Sequence, residues 1–265
     1  MKPKLVRITT VPISMNILLK GQLAFMNRHF EVIGVTGQDE KHFKEAGERE
    51  GIRMAPISMQ RAISPVKDLI SLYKLYSFMR KEKPAIVHTH TPKAGLLGMT
   101  AAWLAGVPVR LHTVAGLPLV ETSGFKRKLL SFIEKITYKM AHEVYPNSYG
   151  LEEIILKEEF CRKDKMKVIA NGSSNGINTT HFSTDFIEGG KQEYREKFRA
   201  DLGIKPNDVV YSFVGRLSSE KGIAELVNAF SKLQKQPGGK NSKLLLVGPN
   251  GKGYGYIKSG CFNSY

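Results

Sequence analysis

Short apolar runs of strand length alternate along this chain with longer segments whose apolar residues recur at helical spacing. Leu5–Thr10, Glu31–Thr36, Ile52–Ile57, Ala85–Thr89, Val107–Thr113, Glu143–Asn147 and Met166–Ala170 read as strands. Between them Ser14–Arg28, Glu40–Gly51, Pro65–Lys83, Lys93–Ala105, Phe125–Ala141 and Tyr149–Phe160 read as helices. Repeated β-α alternation predicts an α/β fold, with a mainly parallel sheet covered by helices on both faces. Ligands of such sheets bind at the carboxyl ends of the strands. That rule singles out the loops Thr10–Lys20, His88–Lys93 and His112–Glu121, and the pair Asn147–Ser148.

The pattern changes after Ala170. Asn171–Gly190 is rich in Gly, Asn, Ser and Thr and predicts a linker, followed by a helix over Lys191–Leu202. Val209–Val214 is another apolar run, ended by Gly215; beyond it Ile223, Leu226, Val227, Phe230 and Leu233 return to helical spacing. Lys243–Gly248 reads as a strand, and Pro249–Tyr265 has no sustained period. The expected division is a Rossmann-type domain over 1–170, a linker and helix over 171–205, and an incomplete second Rossmann-type domain over 206–265.

The strand, glycine turn and helix around Gly215, Arg216, Lys221 and Gly222 suggest chemistry. Ser218 or Ser219 is placed to cap the helix. A helix start offers free N–H groups and the positive end of a dipole to an anion. Arg216 could grip phosphate oxygens with its fork, and Lys221 could follow them as a mobile charge. The residues alone leave a plain pair of solvated charges equally open.

Composition narrows the partners. The 265 residues carry a net charge of +16, which implies phosphates, nucleic acid or an acidic membrane face. Nucleic acid is disfavoured, because no zinc-finger spacing, RNP motif or aromatic–basic groove occurs. Two cysteines, Cys161 and Cys261, make no disulfide framework and no metal motif. The N-terminus has no signal-peptide pattern, and no run approaches the roughly 18 apolar residues of a membrane span. The expected location is the cytoplasm, with a peripheral place at the inner face of the plasma membrane left open. Two basic amphipathic segments, Pro65–Lys83 and Phe125–Ala141, fit a core stripe with a basic rim that attracts membrane.

In the first domain, Ser14, His90, Lys93, His112, Gly116, Glu121 and Asn147 are the candidates for a substrate cleft. His88, His90 and His112 together raise the question of a metal. No carboxylate cluster accompanies them, so no metal is expected; His90 reads as a cleft residue and His88 as a packed one.

GRLSSEKG resembles the G-R-x-x-x-x-K-G motif of retaining GT-B glycosyltransferases of family 4. VPISMNILLKGQLAFM, HTHTPKAGLLGMTAAWLAGVP, HTVAGLPL and VIANGSSNGINTTHF resemble further segments of bacterial polysaccharide members, in the family's order. The resemblance implies a GT-B-like fold and transfer of a sugar from a nucleotide-diphosphate donor, expected to be UDP-linked. It implies a lipid-linked saccharide acceptor and no cofactor. Arg216 and Lys221 would hold the donor diphosphate, and the cleft residues would face the acceptor. Two departures stand out. Ala115 occupies a position where many members carry His, and the family's donor-side glutamate motif has no counterpart. A truncated, impaired enzyme is therefore expected, with a non-catalytic fragment or binding subunit as the alternative. A GT-B epimerase fits the acceptor-side segments less well.

Overall fold

A computed structural model of the chain describes residues 2–60, 62–187 and 190–249. It is α/β and divides into two compact units, Met1–Ile177 and Asn178–Tyr265. The first residues of the Gly/Asn/Ser-rich segment thus belong to the first unit. Gln22 ties them down by donating from Nε2 to the Ser174 carbonyl at 2.6 Å.

The first unit is built on six parallel strands in the order β3-β2-β1-β4-β5-β6. They are β1 (Lys4–Ile8), β2 (Glu31–Thr36), β3 (Arg53–Pro56), β4 (Ile86–Thr89), β5 (Val109–Val114) and β6 (Glu143–Pro146). Helices cover both faces, so β1 and β2 read as nearly continuous apolar runs. Val6, Ile8, Val35 and Val87 pack with Leu75, Met79 and the small residues Ala94, Ala101 and Ala102 of helices α4 (Pro65–Glu82) and α5 (Pro92–Leu104). Leu5 and Val32 pack on the other side with Met15, Leu19, Leu23 and Ala46. These come from α1 (Pro12–Leu18), α2 (Gln22–Asn27), α3 (His42–Glu50) and the α1–α2 turn. Helices α6 (Gly124–Met140) and α7 (Tyr149–Lys157) complete the unit.

Several expected elements differ. The helix expected over Ser14–Arg28 breaks into α1 and α2 at Gly21, whose φ is +79°. Glu50 accepts the freed Gly21 N–H and that of Ala24, heading the second helix with a carboxylate. The strand expected over Met166–Ala170 reduces to one bridge, Val144 to Met166; Ala170 already sits at φ +51° in a turn. On α6 the core stripe and the rim are not cleanly divided into apolar and charged residues. The acid Glu134 is buried, and the aromatic Phe132 is 61% exposed.

In the second unit, α8 (Lys191–Asp201) precedes the parallel pair β7 (Val209–Val214) and β8 (Ser242–Val247), which are joined through α9 (Ile223–Gln234). Phe230, Leu244 and Leu246 form its small core. The expected cap differs as well. Gly222, with φ +71°, is the N-cap of α9 and supplies the left-handed turn, and neither Ser218 nor Ser219 caps that helix. The expected unpatterned tail is Pro249 followed by 250–265; the latter lie outside the described residues.

Candidate functional site

The strand order of the first unit reverses between β1 and β4, and the crevice of such a sheet opens at that switch point. Thr10 and Thr91 join the two strand ends. The Thr91 hydroxyl accepts the Thr10 N–H at 3.0 Å, and the two hydroxyls lie 2.6 Å apart. Thr10 Oγ1 also accepts the Ala94 N–H, which occupies part of the α5 start.

A cavity of about 660 Å³ lies beside this joint. Its wall includes Val11, Ser14, Ile63, Lys93, Leu96 and Ile133, with Lys126 and Asp68 supplying charge. Lys93 is not a free cation here. Its Nζ lies 2.6 Å from Asp68 Oδ2, and its side chain is only 10% exposed. The start of α5 and the Lys93 cation are therefore largely spent on internal partners. Asp68 Oδ1, by contrast, is buried without a hydrogen-bond partner among the described residues, an acceptor available to a hydroxyl in the cavity.

A second, smaller cavity of about 200 Å³ is lined by Arg7, Gln22, His88, His90, Tyr145, Asn147 and the 172–174 turn, among others. Arg7 is 1% exposed. Its Nε donates to His90 Nε2 at 2.9 Å, which places the His90 proton on Nδ1. Its Nη2 donates to Gln22 Oε1 at 3.0 Å. The rings of His88 and His90 stand 4.2 Å apart. Burial, with the neighbouring charges behind it, holds both imidazoles well below the usual histidine pKa. Both are neutral at pH 7, so this is a cationic pocket walled by neutral polar groups.

His112 lies in neither cavity. It is 2% exposed, its Nδ1 stands 2.7 Å from Thr89 Oγ1, and burial pushes its pKa down to about 4. Helix α5 rests on its ring; a Cβ at Gly95 would lie 2.6 Å from His112 Cε1, so only glycine permits the approach. His112, a cleft candidate in the sequence, is thus packed between Thr89 and α5. Gly116 sits in the loop after β5 and lines neither cavity. Glu121 closes the 3-10 turn Pro118–Glu121, and its side chain lies outside the described residues.

In the second unit, Gly215 follows β7 directly, and Arg216 and Lys221 are both exposed. The chain passes through a 3-10 turn, Ser219–Lys221, and then the left-handed Gly222. The first bond of α9 joins Leu226 N–H to the Gly222 carbonyl at 2.9 Å, so the N–H groups of Ile223–Glu225 head the helix. The Ser218 hydroxyl is buried with no partner among the described residues. Strand end, glycine, two cations and helix start thus fall within one short loop.

The sequence model of the glycosyl transferase 4-like domain matches residues 23–172. The chain belongs to this family. A second model, glycosyl transferases group 1, matches residues 194–259. The capsular polysaccharide biosynthesis glycosyltransferase CapM of Staphylococcus aureus is 34% identical over 231 residues, 87% of this chain and 57% of CapM. The UDP-Gal:alpha-D-GlcNAc-diphosphoundecaprenol alpha-1,3-galactosyltransferase of Escherichia coli is 37% identical over 162 residues, 61% of this chain and 39% of that enzyme. The chain therefore spans roughly two fifths to three fifths of these relatives' lengths. Among solved structures, HepE of Anabaena in complex with UDP and glucose superposes with a TM-score of 0.65 at 17% identity, covering 94% of this chain and 61% of that one. At that identity the likeness speaks for the fold, which is of the GT-B type.

For this glycosyl transferase 4-like chain, the structure brings Ser14 and Lys93 to one cavity and His90 and Asn147 to the other. Arg7, Gln22 and Asp68 escaped the sequence reading. Arg7 had a signal, a charge inside the apolar run Leu5–Ile8; Gln22 and Asp68 had none, since both sit on helices among other polar residues. No group of three or more His, Cys, Asp or Glu among the described residues is placed to hold a metal ion.

Proposed function

We propose that this chain is the acceptor-side unit and donor-loop portion of a retaining glycosyltransferase. It would use a UDP-sugar as donor and a lipid-linked saccharide as acceptor in cell-surface polysaccharide synthesis. In the reaction the bond from the anomeric carbon to the β-phosphate oxygen breaks, and its electron pair leaves with the nucleoside diphosphate. A new bond forms from the acceptor hydroxyl oxygen to the same carbon, and the hydroxyl proton passes to the departing phosphate. Arg216, Lys221 and the head of α9 would stabilise the charge growing on that leaving group. Retention rests on the resemblance to family 4.

The observation that carries the reading is the pair of family matches, 23–172 and 194–259, with the Arg216–Lys221 loop inside the second. The names of CapM and of the diphosphoundecaprenol galactosyltransferase support polysaccharide synthesis and a lipid-linked acceptor. The 660 Å³ cavity supports it too, since an apolar wall with a few polar groups suits a saccharide joined to a lipid. Ile63, Val66, Leu69, Ile70 and Tyr73 on and before α4 are each at least half exposed, an apolar stripe suited to a membrane surface.

Calorimetry with UDP tests the donor half. Arg216→Ala and Lys221→Ala should each weaken binding by about 1.5–3 kcal/mol, the worth of a charged hydrogen bond. UDP affinity unchanged in both variants would remove the donor assignment.

A further inference from the structure

Arg7 is the one fully buried cation among the described residues, and its surroundings do not explain it. A guanidinium taken out of water needs a counter-charge. Here its partners are the neutral His90 ring and the Gln22 amide, and no carboxylate lies within ion-pair reach among the described residues. The 200 Å³ cavity beside it is lined by further polar groups: the Asn147 amide, which gives one N–H to the Ser174 hydroxyl, Thr113, whose hydroxyl lies 2.8 Å from His88 Nε2, and Ser173, whose hydroxyl donates to the Asn175 carbonyl. Its outer wall is a turn in which Ala170, Gly172 and Ser173 all have left-handed φ values of +51°, +88° and +72°. Such backbone is costly for Ala and Ser, and it is held in place by the Ser173 N–H donating to the Asn147 carbonyl at 2.6 Å. Gln22 clamps the same turn by donating to Asn175 Oδ1 while accepting from Arg7. The turn, the charge and the cavity form one construction.

We propose that this cavity is an oxyanion site that binds a phosphoryl group, with Arg7 as its charge partner. The Arg7 guanidinium, the second N–H of the Asn147 amide and the Ser174 hydroxyl line it from different segments, which suits a group with several free oxygens. The cavity volume of about 200 Å³ admits a phosphoryl group. The proposal does not depend on the glycosyltransferase reading. Only the source of the phosphoryl group does: a free phosphate, or the phosphate of a lipid-linked acceptor.

The test titrates two probes, inorganic phosphate and farnesyl diphosphate, into the 265-residue chain at ionic strength held constant with sodium chloride. The protein carries Arg216→Ala and Lys221→Ala, so the donor loop contributes nothing and a failed donor assignment leaves this test intact. Saturable binding of at least one probe is expected. Arg7→Gln should weaken it about tenfold to a hundredfold while folding normally, because the exchange removes an uncompensated charge. Asn147→Asp, which places a carboxylate at the cavity, should abolish binding and raise the unfolding temperature. It carries the test if Arg7→Gln does not fold. Equal affinity for the two probes supports a free phosphoryl ligand; a tighter farnesyl diphosphate supports the lipid-linked one. No binding of either probe, or full affinity in Arg7→Gln or Asn147→Asp, overturns the proposal.

Discussion

Three histidines near the ends of β4 and β5 give the first unit a built-in response to pH. His88, His90 and His112 are held below their ordinary value of 6.5 chiefly by burial, His112 to about 4. Above pH 6.5 the folded and unfolded chains both carry neutral imidazoles. Below it the unfolded chain takes up protons that the folded chain refuses, so stability falls as the pH drops toward 4. For His112 alone the loss over that window is about 3 kcal/mol, at about 1.4 kcal/mol per pH unit. Thermal unfolding should show a flat midpoint above pH 7 and a steep fall from pH 6.5 to 4.5. His112→Asn should start less stable, since Thr89 loses a partner, but fall less steeply. An equal slope in the variant would mean that His112 takes no part. Residue by residue, this behaviour was only half legible. The alternation around HTHT places His88 and His90 together on one face, yet no pattern shows that His112 lies under Gly95, three residues into a helix that starts at Pro92. Periodicity tells which positions turn inward; it does not tell which polar side chains meet there.

At the scale of elements, order and type were legible because a parallel sheet covered on both faces leaves long apolar strands between amphipathic helices. Most of what was missed lies in how elements begin. The start of α2 is decided by Glu50, which is 29 residues away in sequence and at the far end of α3. Burial would raise the Glu50 pKa, but the N–H groups of Gly21 and Ala24 and the Arg49 guanidinium outweigh it and lower it. Glu50→Ala leaves those donors without their acceptor and should cost about 1–3 kcal/mol. Hydrogen exchange should accelerate at the Gly21 and Ala24 amides. Because Gln22 follows directly and bonds Arg7, the disturbance should reach the 173–175 turn. Exchange at those amides that stays at the wild-type rate would show that α2 is held by its apolar face alone. The start of α9 repeats the lesson. Two serines looked like caps, while a left-handed glycine makes the turn, because the 3-10 segment between β7 and the helix must reverse the chain first.

Taken as a whole, the molecule combines a net charge of +16 with an apolar stripe on α4 and two exposed phenylalanines, Phe125 and Phe132, on a helix rich in lysine. Charge alone would draw it to any anionic surface and release it in salt, since the Debye length shrinks from about 8 Å at physiological ionic strength to about 3 Å at 1 M. The stripe adds something salt does not screen. Val66, Leu69 and Tyr73 are 74%, 67% and 70% exposed, and transferring such side chains out of water is worth about 1.5–3 kcal/mol each when burial is complete. Two components should therefore appear in flotation with vesicles. Anionic vesicles should capture the protein at low salt, neutral ones much less, and high salt should leave a residual bound fraction. Leu69→Ser with Tyr73→Ser should remove that residue of binding while leaving the low-salt capture nearly intact, because both side chains point into solvent and carry no charge. No helix among the described residues is long and apolar enough to cross a membrane. Binding that is equal on neutral and anionic vesicles would discard the electrostatic component. Complete release of the unmodified protein by salt would discard the apolar one.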